Sequence, residues 1–129
     1  MSILRYVSIQ DVGKALNPTL VEGQIQGGSA QGIGIGLSEQ MVYSAEGRLL
    51  NSSLLDYRTM TAIDLPKIEV VLVEVPTPYG PFGAKGVGEP PIVPGPAAIA
   101  NAVRNATGQA FTDLPITPDK VVAALARRS

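Results

Sequence analysis

The stretch Gly80-Pro-Phe-Gly-Ala-Lys-Gly-Val-Gly-Glu89-Pro-Pro91 sets one carboxylate between a glycine and two prolines. Proton transfer is the chemistry open to such a residue. Glu89 is the only acidic residue between Glu74 and Asp113, and the segments on both sides of the loop are apolar. An isolated carboxylate in apolar surroundings is a candidate general base, because burial makes a carboxylate a better proton acceptor. Gly80, Gly83, Gly86 and Gly88 let the backbone bend freely towards a ligand up to Glu89. Beyond it, Pro90 biases Glu89 towards extended backbone and Pro91 stiffens the exit. A glycine cluster by itself more often marks a solvated turn. The weight therefore falls on Glu89. Glu74, on the strand expected before the loop, reads as an unengaged carboxylate whose change to glutamine should be nearly silent.

The elements that must position this loop can be read in order. Residues 4–12 alternate and are rich in β-formers, giving a strand. Asn17-Pro18-Thr19 is a helix start, with Asn17 or Thr19 as cap. Residues 20–41 have helical length but contain six interior glycines: Gly23, Gly27, Gly28, Gly32, Gly34 and Gly36. At about 1 kcal/mol each, six would cost an isolated helix about 5–6 kcal/mol. Such a helix needs tertiary contacts that use bare backbone. Gly28, Gly32 and Gly36 form an i, i+4, i+8 ridge that another backbone or a flat ligand can approach. The alternative is a strand or glycine loop over residues 32–36; length favours the helix. Residues 41–44 and 48–52 flank Ala45-Glu-Gly47 as a hairpin, and residues 51–64 are irregular. Residues 67–75 read as a strand buried on both faces. Residues 95–106 form an Ala-rich helix ended by Gly108. Residues 118–126 form a last helix with Thr117 as cap, Asp119 in its first turn, and Arg127 and Arg128 at its C-terminal end. The expected class is α+β: a mixed sheet, a glycine-rich helix and C-terminal helices, without clean βαβ units.

At 129 residues the chain reads as a single domain over residues 1–129. Hydrophobic residues make up 45% and charged residues 16%, against roughly 25% charged in an average soluble domain. Low charge implies a surface covered by a partner, and the isolated chain is expected to self-associate. The net charge of −1, without a basic cluster, gives no electrostatic footprint for nucleic acid. No run is long and apolar enough for a membrane span, and no signal peptide is visible, so a cytoplasmic protein is expected. Cysteine and histidine are both absent. That excludes disulfides, zinc and iron–sulfur ligation by this chain, and every histidine-dependent triad. No side chain is expected to ligate a metal, so any metal must be held by a cofactor. A phosphate-binding glycine loop at residues 32–36 is a weak alternative, because no Gly-Lys-Ser/Thr follows.

Four segments occur in a telling order. They are Asp11-Val-Gly-Lys-Ala-Leu-Asn17-Pro18, Glu22-Gly-Gln24-Ile-Gln-Gly27-Gly-Ser-Ala-Gln31-Gly-Ile-Gly34, Leu50-Asn-Ser-Ser-Leu-Leu-Asp56-Tyr57 and Gly83-Ala-Lys85-Gly-Val-Gly-Glu89-Pro-Pro91. Together they resemble the C-terminal portion of the molybdenum-binding subunit of the xanthine dehydrogenase/aldehyde oxidase family, the molybdenum hydroxylases. The resemblance covers residues 6–126.

What the resemblance implies agrees with the reading of the loop. In that family a molybdenum–pterin cofactor, in some members a dinucleotide, sits beside a glutamate that acts as general base in hydroxylating an electron-poor carbon. By position that glutamate is Glu89. Gln24 matches the glutamine whose amide faces the cofactor, and without the resemblance it would read as an ordinary surface glutamine. Gly27 and Gly28 match the glycine-rich helix beside the pterin. Lys85, Gly86, Val87 and Gly88 match the stretch whose backbone borders the cofactor. Asp11, Asn17 and Asp56 read as structural, and Gln31 stays open between cofactor and intrachain contact. The implied partners are the remainder of the molybdenum subunit, an iron–sulfur subunit and an FAD subunit, with a small-molecule substrate. The competing reading is a structural or assembly domain that keeps the fold without turnover.

Overall fold

The computed structural model describes residues 1–127. Strand β1 (Tyr6–Asp11) leads into the long helix α1 (Pro18–Leu37), and strand β2 (Ile68–Val73) returns beside β1. Helices α2 (Pro94–Thr107) and α3 (Pro118–Ala126) close the fold. The class is α+β, as expected. The sheet, however, is two-stranded and parallel, running from Tyr6 opposite Ile68 to Asp11 opposite Val73. It is therefore not a mixed sheet, and β1, α1 and β2 make a crossover unit that local patterns did not reveal. Residues 38–67 intervene between α1 and β2 and hide it. Within them the expected hairpin is reduced to one antiparallel bridge, Tyr43 with Leu49, its turn made by Gly47 at φ 81°.

Asn17 caps α1 by accepting a hydrogen bond from the Leu20 amide (3.2 Å), and Pro18 follows in the first turn. The helix runs through residues 32–36, so the strand alternative is excluded. One side of α1 packs on the sheet. Ile25 joins Val12 and Ala15, with Val70 and Leu72 against them. Ile33 joins Ile99, Val103 and Ile116, with Tyr6 and Ile68 beside them.

The ridge Gly28–Gly32–Gly36 receives the chain that follows Glu89. A Cβ on Gly32 would lie 2.6 Å from the Ile92 carbonyl oxygen, and one on Gly95 would lie 2.8 Å from Gly32 Cα. Two backbones meet where any side chain would part them. That contact is what the helix gains against its poor glycine propensity.

β2 departs from expectation. Its residues Ile68, Val70 and Leu72 pack towards α1, but Val71 and Val73 are exposed, together with Val7 and Ile9 of β1. The strand has the composition of one buried on both faces, yet this chain covers only one. α2 ends as expected at Gly108, whose left-handed backbone donates its N–H to the Arg104 carbonyl (2.7 Å). At α3, Thr117 is the cap residue but its side chain does not cap the helix. It instead hydrogen-bonds Asp119, holding that carboxyl below its usual range. Arg127 is the C-cap residue, and Arg128 lies outside the described residues. No helix among the described residues is long and apolar enough to cross a membrane.

Candidate functional site

The loop that carries Glu89 is anchored at both ends. Upstream, Gly13 adopts φ 64°, and a Cβ there would collide with the Gly83 carbonyl. Glycine alone allows that approach. The Gly83 carbonyl accepts from the amides of Lys14 (2.9 Å) and Thr77 (3.2 Å), and the Lys85 amide donates to the Val12 carbonyl (3.0 Å). Asp11 joins three segments at the end of β1. Its Oδ1 accepts from the amides of Gly13 (3.0 Å) and Val75 (3.4 Å), and its Oδ2 accepts from the Lys85 ammonium (2.5 Å). Lys85 first, and the Gly13 amide second, hold the Asp11 carboxyl below the usual carboxylate range. Downstream, Pro91 is fully buried, and a Cβ on Gly28 would lie 3.0 Å from Pro91 Cβ. The Ile92 amide donates to the Glu89 carbonyl (2.9 Å), turning the chain towards α2. The loop does not bend freely before Glu89; it is fixed on both sides of it.

Between these anchors the loop passes α1 at Gln24 and Gly28. Gln24 Oε1 lies 3.8 Å from where a Gly88 Cβ would stand. Gly23, Gly27 and Gly86 have open space at their Cβ positions, and Gln24 and Glu89 are exposed. The structure sets Gln24 beside Gly88 and leaves Gln24, Gly27, Gly86, Gly88 and Glu89 exposed. Three other residues singled out in the sequence pack or anchor the loop. Gly28 is turned to Pro91, whose approach its bare backbone allows. Val87 packs against Val12, Ala15 and Ile25. Lys85 has its ammonium on Asp11 and its amide on the Val12 carbonyl.

Two expectations need correction. Glu89 is exposed, so this chain does not provide the apolar enclosure inferred from its neighbours. The sequence around it is apolar because Pro91 and Ile92 pack on α1, and not because they cover the carboxylate. Glu74 is far from idle. Its Oε1 accepts from the Ala15 amide (2.8 Å) and pairs with Lys14 Nζ (3.1 Å), tying the end of β2 to the turn before α1. The Ala15 amide first, then Lys14, hold its carboxyl low. Gly13 and Glu74 were both missed; the signal available was a glycine and a lysine directly after β1, facing the end of a strand not known to be adjacent.

Gln31 is exposed and lines a small pocket of about 360 Å³ with Ala30, Glu39, Thr59 and Met60. A larger cavity, about 1030 Å³, lies between residues 1–10, α2 and α3, and neither Gln24, Gly27 nor the Glu89 loop lines it. Among the described residues no cluster of three or more His, Cys, Asp or Glu can hold a metal. The open face offers bare backbone at Gly23, Gly27 and Gly86, one carboxamide and one carboxylate. Such a set suits a flat ligand that brings its own metal.

A glycine-surfaced helix beside a carboxylate on an anchored loop is a surface suited to a bound flat ring system. The family model of the molybdopterin cofactor-binding domain matches residues 1–66, and the chain belongs to that family. It is 46% identical over 122 residues to the xanthine dehydrogenase molybdenum-binding subunit of Escherichia coli O157:H7, covering 94% of this chain and 16% of that protein. It is 43% identical over 127 residues to the nicotine 6-hydroxylase large subunit of Paenarthrobacter nicotinovorans, covering 96% and 16%. Among solved structures, quinoline 2-oxidoreductase from Pseudomonas putida 86 superposes with a TM-score of 0.91 at 35% identity, over 99% of this chain and 17% of that one. The chain spans about 16% of the length of these curated relatives. The matched residues 1–66 include Gln24 and Gly27 but stop short of the Glu89 loop.

Proposed function

We propose that this chain forms one wall of the cofactor site of a molybdenum hydroxylase and supplies its general base, Glu89. The observation that carries the reading is the exposed Glu89 carboxylate, held between the Lys85–Asp11 and Pro91–Gly28 anchors next to Gly88, which faces Gln24. When bound, a molybdenum–pterin cofactor supplies the oxygen-transfer and redox chemistry of hydroxylation. This chain's own residues do the rest. The bare backbone at Gly27 and Gly86 admits a flat ring system without Cβ clashes. The Gln24 carboxamide offers it one donor and one acceptor. A Glu89 carboxylate oxygen takes up the proton released as oxygen is added to the substrate carbon, and the fixed loop keeps that oxygen in place without reorganisation. Enclosure of Glu89 comes from the remainder of the molybdenum subunit, and electrons leave through an iron–sulfur subunit and an FAD subunit. The cofactor is the pterin mononucleotide or its dinucleotide, and the substrate is a small electron-poor molecule.

The test is Glu89→Gln in the assembled subunit. Gln keeps size and hydrogen bonding but cannot take the proton. Turnover should fall at least about 10²-fold, with molybdenum and pterin contents near normal. Asp113→Asn, an exposed carboxylate before α3, is the control and should be silent; Glu74 cannot serve, given its structural contacts. The competing reading, an assembly domain without turnover, has its own expectation: Glu89→Gln would change nothing.

A further inference from the structure

A two-stranded parallel sheet does not stand alone: parallel strands are stable when both faces are covered and further strands flank them. Here β1 pairs with β2 on one edge only. The Val12 amide donates to the Val73 carbonyl. By the alternation of a parallel ladder, the amides of Val7 and Ile9 therefore point away from β2, along the unpaired edge. Nothing guards that edge. β1 reads Tyr-Val-Ser-Ile-Gln-Asp, without proline, glycine or lysine, the residues that natural edges use against pairing. The charges at its two ends are engaged elsewhere: Arg5 is drawn across to Glu69 of β2 at 2.9 Å, and Asp11 pairs with Lys85.

The groove of about 1030 Å³ runs along this same edge. Its lining takes consecutive residues of β1 whatever their side-chain direction, as a backbone edge does, and Ala98, Ala102 and Val122 form its far side. The walls are apolar, and Ile9 and Val122 are 67% and 66% exposed.

We infer that β1's free edge pairs with an extended strand from the part of the molybdenum-binding subunit that this chain does not contain, the strand's side chains filling the groove against α2 and α3. The occupant follows from length: relatives that match nearly all of this chain have most of their sequence outside the match, since the chain covers 16% of them. The inference rests on the reading that this chain completes such a subunit.

The test co-produces the chain with the remainder of the Escherichia coli O157:H7 subunit, deleted for its matching residues. Residue-resolved hydrogen exchange then follows the Val7 and Ile9 amides. In the captured complex both should exchange at least ten-fold more slowly than in the chain alone. Ile9→Pro removes the edge N–H, which an edge strand otherwise tolerates, and should weaken capture at least ten-fold. Val122→Glu, on the opposite wall and away from the strand backbone, should do the same and guards against misfolding of the proline variant. Capture with unprotected Val7 and Ile9 amides would overturn the edge pairing while leaving the cofactor-wall reading intact. Protection that grows with concentration in the chain alone would assign the edge to a second copy and overturn it too. A lack of capture also sinks it, and Glu89 is then judged separately by turnover in the assembled enzyme.

Discussion

On one face of α1, Gly28, Gly32 and Gly36 are buried against Pro91, the Ile92 carbonyl and Ile99; on the opposite side, Gly23 and Gly27 have nothing within reach of a Cβ. The same residue type lies on one helix in two unlike environments. On the buried face the missing Cβ lets a second chain segment approach, and it fixes where the Glu89 loop leaves α1. The open face shows the same missing Cβ with no partner in this chain. A helix former such as alanine would fit there at no steric cost and would stabilise the helix by about 1 kcal/mol per site. Bare backbone kept at such positions is consistent with close approach by something outside the chain. Packing accounts for the first set of glycines and leaves the second without a reason inside this chain.

The largest expected effect sits where the two faces meet. Glu89→Gln should remove at least about 10²-fold of turnover and leave the unfolding midpoint unchanged, because the carboxylate makes no hydrogen bond among the described residues. A parallel loss of thermal stability would show that Glu89 belongs to the buried face after all.

The glycines themselves come next. Gly32→Ala places a Cβ against the Ile92 carbonyl, a backbone atom that cannot swing away, and should destabilise by about 1–3 kcal/mol despite better helix propensity. Gly27→Ala should raise the melting temperature of the assembled subunit, by up to about 1 kcal/mol in stability, while lowering its molybdenum content. Opposite signs in thermal unfolding are the signature sought. If Gly27→Ala is stabilising and keeps full molybdenum, the open face does not carry the cofactor. Gln24→Ala should be milder. The loss of one amide contact is worth about 1 kcal/mol, roughly a five-fold weaker retention of cofactor, readable as faster molybdenum loss on dilution.

Much of the framework was legible because it is local. Asn17-Pro18 announces the start of α1, Gly108 the end of α2, and Gly47 the turn after Ser44; each needs only its own neighbours. The spacing of Gly28, Gly32 and Gly36 showed that something approaches closely, but not what. Long-range contacts were hidden. Lys85 meets Asp11 across 74 positions, and β1 meets β2 across the irregular residues 38–67. Period-2 alternation marks a strand without naming its partner. Exposure of Glu89 was misjudged for a related reason: apolar neighbours in sequence pack wherever the ridge directs them, which is away from the carboxylate.

The smallest effect concerns the anchor that holds the loop from the strand side. Asp11 is held low by Lys85 and by the Gly13 amide, and Glu74 by the Ala15 amide and Lys14. For carboxyls depressed in the folded state, the stabilisation is fully present above the unfolded values, about 3.9 for Asp and 4.3 for Glu. It is lost as pH falls through the folded values. The chain should therefore keep its urea midpoint from neutral pH down to about pH 5 and lose it progressively in the acid range below about pH 4. In Asp11→Asn the midpoint should be lower at neutral pH and its acid dependence shallower, the two curves converging at the lowest pH. Since the Asp11 and Lys85 side chains are both more than a third or about a third exposed, added salt should narrow the difference between the variant and the parent. Curves that stay parallel from neutral to acid pH would mean that Asp11 holds the Glu89 loop by shape alone, with its charge contributing nothing.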